Sequence, residues 1–93
     1  MATLRKLAFD RDVPKFLGDL AGKQYKQIVA KILDLAKYPE PLDSQPLHGC
    51  EELRRIDSGE FRVVYRYDDD TVFIEIVGKR NDDEVYRDLK RKA

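Results

Sequence analysis

Three short runs of alternating apolar and polar residues crowd the second half of this chain, with only tight turns between them. They are Leu53 to Asp57, Phe61 to Tyr67 and Thr71 to Val77, separated by Ser58-Gly59 and by Asp68-Asp69-Asp70. Period-two alternation puts successive side chains on opposite faces of a strand. Connections this short make hairpins and exclude the long crossover that parallel neighbours need. Three consecutive antiparallel strands are therefore the frame that the rest of the chain must complete.

Upstream of that frame the pattern changes period. Thr3 to Phe9 alternates, with Leu7 and Phe9 on one face, and reads as a short strand. Asp12 reads as an N-cap with Pro14 in the first turn, and Phe16, Leu17 and Leu20 form an apolar stripe that Gly22 ends or bends. From about Lys23 to Tyr38, the positions Tyr25, Ile28, Val29, Ile32, Leu35 and Ala36 follow a helical period until Tyr38-Pro39-Glu40-Pro41 stops it. Residues 39–52 read as a proline-rich acidic connection ending in Leu47-His48-Gly49-Cys50. The tail from Asp82 to Lys92 reads as a final helix, acidic in its first turn and basic in its last.

The order β-α-α-β-β-β-α predicts one α+β domain over residues 1–93. Its sheet is antiparallel-rich, with the N-terminal helical hairpin on one face and a C-terminal helix. The first strand is expected beside the last or the middle one. At 93 residues the chain supports one modest core, and a 42% apolar content argues against disorder. No run approaches the ~20 apolar residues of a membrane span, and no signal-peptide apolar stretch opens the chain. One cysteine, Cys50, and one histidine, His48, exclude an internal disulfide and make a structural zinc site untenable. A cytoplasmic protein without metal or small-molecule cofactor is expected.

Eighteen cations balance eighteen acids, which argues against a chain that binds nucleic acid through bulk charge. The charge is zoned, however: residues 54–67 carry four arginines against two acids. On the strand Phe61 to Tyr67, Phe61, Val63, Tyr65 and Tyr67 share one face, and Arg62, Val64 and Arg66 the other. The last strand ends at Gly78 and is followed at once by Lys79 and Arg80, with Tyr86 six residues on. If the hairpin register turns Arg55 the same way as Arg62, these cations converge on the sheet face away from the helical hairpin. Arginine forks hold phosphate oxygens bidentately, and a phenol beside them stacks on a base.

Each residue also has a plainer reading. Arg62 and Arg66 suit a half-exposed sheet, paired with Glu60 or Glu75 across strands. Tyr86 suits a core aromatic with its hydroxyl at the rim. His48 suits a loop hydrogen-bonder, and Cys50 a buried, inert thiol. Residue spacing alone reaches a small α+β domain with a candidate anion site.

The run Arg54-Arg55-Ile56-Asp57-Ser58-Gly59-Glu60-Phe61-Arg62-Val63-Val64-Tyr65-Arg66, with Val77-Gly78-Lys79-Arg80 and Glu84-Val85-Tyr86, resembles the RelE branch of the RelE/ParE toxin superfamily. Pro46-Leu47-His48-Gly49 and the helical hairpin fit the same pattern, so the resemblance spans the chain. It implies a ribosome-dependent mRNA endonuclease in which a ribose 2′-hydroxyl attacks the adjacent phosphate without a metal. It also implies inhibition by a cognate antitoxin, with ribosome and mRNA as the other partners. On this resemblance Arg62 contacts the phosphate, Arg80 stabilises the transition state, and Tyr86 stacks on a base or takes part in proton transfer. Arg55 matches one of two basic residues on the preceding strand; Leu53 stands in the other's place, unless a one-residue shift of the hairpin brings Arg54 there. Arg54, Arg66 and Lys79 are expected to add RNA contacts. A ParE-like toxin acting on DNA gyrase, or a non-toxic relative that only binds antitoxin, are the alternatives.

Overall fold

The computed structural model describes residues 4–80. Its elements are β1 (Lys6–Phe9), α1 (Asp12–Gly18), α2 (Gly22–Lys37), β2 (Ser44–Leu47), β3 (Cys50–Ser58), β4 (Phe61–Tyr67) and β5 (Thr71–Lys79). The five strands form one sheet in the order β1-β5-β4-β3-β2. β1 runs parallel to β5, and every other pair is antiparallel. The expected three-stranded meander is present, and of the two neighbours expected for the first strand, the last or the middle one, it pairs with the last. Tyr86 and the C-terminal helix expected over 82–92 lie outside the described residues. Among the described residues, no helix is long and apolar enough to cross a membrane.

Local chemistry explains most boundaries. Gly59 adopts φ +59°, a left-handed conformation that closes the β3–β4 turn. The Asp68 carboxylate accepts from the backbone N–H of Asp70 and of Thr71, both at 2.8 Å, and shapes the β4–β5 turn. Tyr38, extended because a proline follows, ends α2. Three boundaries depart from the sequence reading. Gly22 opens α2 rather than ending α1, since the chain already breaks at Gly18. Asp12 lies in the first turn of α1, and Arg11 holds the N-cap position. The 39–52 connection contains β2, because its extended backbone finds the free edge of β3 and pairs there.

The two helices cover one sheet face. Val13, Leu17, Ile28, Ile32 and Leu35 pack against Ile56, Phe61, Val63, Tyr65, Val72, Ile74 and Val77. A smaller apolar cluster of Leu47, Val64 and Ile76, with Leu53 beside it, lies on the opposite face. Both β5 residues Ile74 and Val77 reach the helical core, although simple alternation would place them on opposite faces. The register accounts for this: Val64 pairs with Ile76 and Tyr65 with Ile74, which leaves Glu75 as the extra residue of a bulge. Beyond that bulge the facing of β5 is reversed. Ile76 and Gly78 turn to the open face, and Arg80 follows them in phase.

Candidate functional site

On the open face, β3 and β4 pair so that Arg55 lies opposite Val64 and Asp57 opposite Arg62. Arg55, Asp57 and Arg62 therefore share one face, which answers the register question left open by the sequence. The bulge adds Arg80 to them. Its backbone N–H donates to the Glu60 carbonyl at 2.9 Å, which seats it beside the β3–β4 turn.

Asp57 is the centre of this group. Arg62 Nε donates to Oδ1 at 2.8 Å, and Arg62 Nη2 reaches Oδ2 at 3.5 Å. Arg55 Nη1 and Arg80 Nη1 lie 3.7 and 3.9 Å from the same Oδ2. Behind the strand, Lys31 of α2 donates from Nζ to the Asp57 carbonyl at 2.7 Å and pairs with Asp43 at 3.0 Å. The backbone of Asp57 is thus tied to the helical layer while its carboxylate looks outward. Desolvation raises the Asp57 pKa, but the Arg62 hydrogen bond and the charges of Arg62, Arg55 and Arg80 outweigh it, so the carboxyl stays below its ordinary value. Asp57 is ionised at neutral pH, with three guanidinium groups around it among the described residues.

An open groove of ≈ 500 Å³ runs beside the cluster, lined by Arg55, Arg62, Gln45, Pro46, Leu47 and His48. Its wall is β2 with the turn that follows, where Gly49 takes φ +81°. Gln45 Oε1 accepts from Arg55 Nη2 at 2.7 Å and steers that guanidinium. The groove brings two residues, His48 and Gln45, to the cluster's side where the sequence pattern does not place them. His48 had been read as a loop hydrogen-bonder, and Gln45 lay in an assumed connection. Asp57, at the centre of the cluster, is signalled in the sequence only by its position two residues after Arg55 on one strand, which implies a shared face.

The other expected site residues lie elsewhere. Arg66 shares the open face but is four residues along β4 from Arg62, roughly 13 Å at strand spacing. Its Nε pairs with Glu75 at 2.9 Å and its guanidinium stacks over Phe73 at 3.9 Å, matching the cross-strand pairing expected with Glu75. Arg54 lies on the opposite face, opposite Tyr65, where Nη2 donates to Ser44 Oγ at 2.9 Å and Nη1 lies 3.8 Å from Glu40. Lys79 pairs opposite Phe61, a residue of the helical core, and so falls out of phase with Arg80. Cys50 is exposed rather than buried, because it flanks the β2–β3 turn at the sheet edge.

The family model for the ParE toxin of the type II toxin–antitoxin system parDE matches residues 7–84. The chain belongs to this toxin family, within the RelE/ParE superfamily. Solved RelE structures share its α+β fold. A double arginine-to-alanine mutant of the E. coli toxin RelE in the free state is 26% identical, with a TM-score of 0.78 over 96% of this chain and 98% of that one. The same mutant toxin bound to a RelB antitoxin peptide is 25% identical, with a TM-score of 0.73 over 94% and 95%. The archaeal RelE–RelB complex from Pyrococcus horikoshii is 24% identical, with a TM-score of 0.71 over 84% and 97%, a likeness of fold. No curated protein matches this RelE/ParE-family chain at the sequence level.

Proposed function

We propose that this chain is a RelE-like toxin that cleaves mRNA on the ribosome and is held inactive by a cognate antitoxin. The observation that carries the reading is the convergence of Arg55 from β3, Arg62 from β4 and Arg80 from the end of β5 on one point of the open face. Scission by a ribose 2′-hydroxyl places extra negative charge on the phosphorane oxygens. Fixed guanidinium groups are suited to that charge, and they need no rearrangement as it develops. Arg62, only 14% exposed and anchored by its strand, would fix the phosphate. Arg80, 48% exposed at the end of β5, would face the developing charge. In this scheme Tyr86 supplies stacking, and Gln45 and His48 line the path of the adjoining nucleotide. No metal is required by this chemistry, and the substrate places the work in the cytoplasm.

The antitoxin reading rests on the RelE complexes with RelB, in which proteins of this fold are bound by their antitoxins. Primer extension on mRNA, with ribosomes present and absent, tests the activity. Cleavage at ribosome-positioned sites, leaving a 2′,3′-cyclic phosphate, is the expected result. Intact transcripts in a translating extract would sink it.

A second reading follows from the family match itself, which is to the ParE toxin. A ParE-like toxin would leave mRNA intact and cause gyrase-dependent DNA damage, so the same extract separates the two.

A further inference from the structure

The Asp57 carboxylate sits where the arginines point. One oxygen, Oδ2, lies 3.5 Å from Arg62 Nη2, 3.7 Å from Arg55 Nη1 and 3.9 Å from Arg80 Nη1. Three guanidinium groups from three chain segments thus surround a single acceptor atom. That is the geometry expected around a non-bridging phosphate oxygen.

We propose that Asp57 is the resident occupant of the phosphate seat, with Oδ2 standing in for a substrate oxygen, so that RNA binds by displacing the carboxylate. The inference rests on the phosphate-binding role given above to the three arginines. Three features support it. Among the described residues only Oδ1 is held at full hydrogen-bond length, by Arg62 Nε, while the approaches of Arg55 and Arg80 to Oδ2 are about 1 Å longer than the ~2.8 Å of a closed charge-assisted bond. The seat is therefore wider than a carboxylate fills, and a tetrahedral phosphate is the larger group. The backbone of Asp57 is pinned by Lys31, yet its side chain is 29% exposed, so the carboxylate turns aside without moving the strand. Finally, among the described residues three guanidinium groups meet a single carboxylate at this seat.

The consequence is selectivity. A tethered carboxylate competes at a high effective concentration, so a lone phosphate with no other contacts is held off. A strand of RNA that also lies in the groove beside Gln45 and His48 gains enough to displace it. Asp57 thus damps the response of a neutral chain to stray anions and reserves the seat for a polymer.

The test is fluorescence anisotropy of a labelled ten-nucleotide 2′-O-methyl oligoribonucleotide, which cannot be cleaved. It is titrated with the parent chain and with Asp57→Asn, Asp57→Ser, Glu75→Gln, Arg62→Ala and Asp57→Asn/Arg62→Ala, each checked by circular dichroism. Either folded Asp57 variant is expected to bind about tenfold tighter, the effect of removing one competing charge. Glu75→Gln, which removes an equal charge outside the seat, is expected to stay within about twofold of the parent. Unchanged or weaker binding by both Asp57 variants overturns the inference, and so does equal tightening by Glu75→Gln. If Arg62→Ala leaves affinity unaltered in both backgrounds, the phosphate site itself is misplaced, whatever Asp57 does.

Discussion

The Asp57 carboxylate and the Arg62 guanidinium meet across the β3–β4 hairpin, Oδ1 to Nε at 2.8 Å, with Gly59 turning the chain between them. The pair joins fold and site, because the same contact that braces the hairpin aims the arginine.

Its pH dependence has a definite sign. Desolvation raises the Asp57 pKa, but the Arg62 hydrogen bond and the charges of Arg62, Arg55 and Arg80 outweigh it, so the folded value lies below the ordinary 3.8. The stabilisation is complete above the ordinary value and is lost as pH falls through the folded one. Asp57→Asn is expected to cost about 1 kcal/mol at neutral pH, a charged hydrogen bond discounted for solvent. Thermal melts of parent and variant should differ at pH 7 and draw together below 3.8. A constant gap across that range would contradict the assignment.

Removing the arginines should separate the site from its surroundings. Arg62→Ala or Arg80→Ala is expected to restore growth to cells expressing the chain, since loss of one fixed donor costs a factor of roughly 10² to 10³ in rate. Both variants remaining as toxic as the parent would show that the chemistry lies elsewhere.

Arg66→Ala should behave differently. Arg66 is engaged by Glu75 and Phe73, away from the seat. Toxicity is expected to persist, with a stability loss of under about 1 kcal/mol for a half-exposed pair. A growth rescue as large as that of Arg62→Ala would extend the site along β4.

At Gly59 the cost of a side chain is conformational alone, because a Cβ there meets nothing within 4 Å while φ is +59°. Gly59→Ala should lose about 1 kcal/mol and Gly59→Asn less, as asparagine tolerates the left-handed region better. Urea denaturation of the two variants checks the order.

Ile76 anchors the small apolar cluster on the site's face, with Leu47 of β2 and Val64 of β4. Ile76→Ala should cost about 2–4 kcal/mol through lost burial and a cavity. Amide exchange should also quicken across residues 44–47, the strand that walls the groove. Exchange that quickens only in β5 would mean that β2 is held by other contacts.

Much of this was legible in the amino-acid order. Period-two alternation with Ser58-Gly59 and Asp68-Asp69-Asp70 implies the β3-β4-β5 meander, and the helical period of residues 23–38 implies the hairpin layer. These are local signals, set by side-chain alternation and turn chemistry within a few residues of each other. The same alternation put Arg62 and Arg66 on one face, and the β3–β4 pairing places Arg55 with them.

Other features were decided only by tertiary structure, and each has a physical reason. β2 has little periodicity of its own and becomes a strand because β3 offers an unpaired edge. Asp57 takes its place among the arginines because Lys31 and the hairpin register hold its backbone, a long-range combination that no single segment contains. The Glu75 bulge depends on how β4 and β5 pack together, and it reverses the facing of everything after it. The sequence by itself set Lys79 and Arg80 side by side at the end of a strand. Which of the two joins Arg62 was settled by that one extra residue, which brings Arg80 to the open face and leaves Lys79 opposite Phe61 on the other.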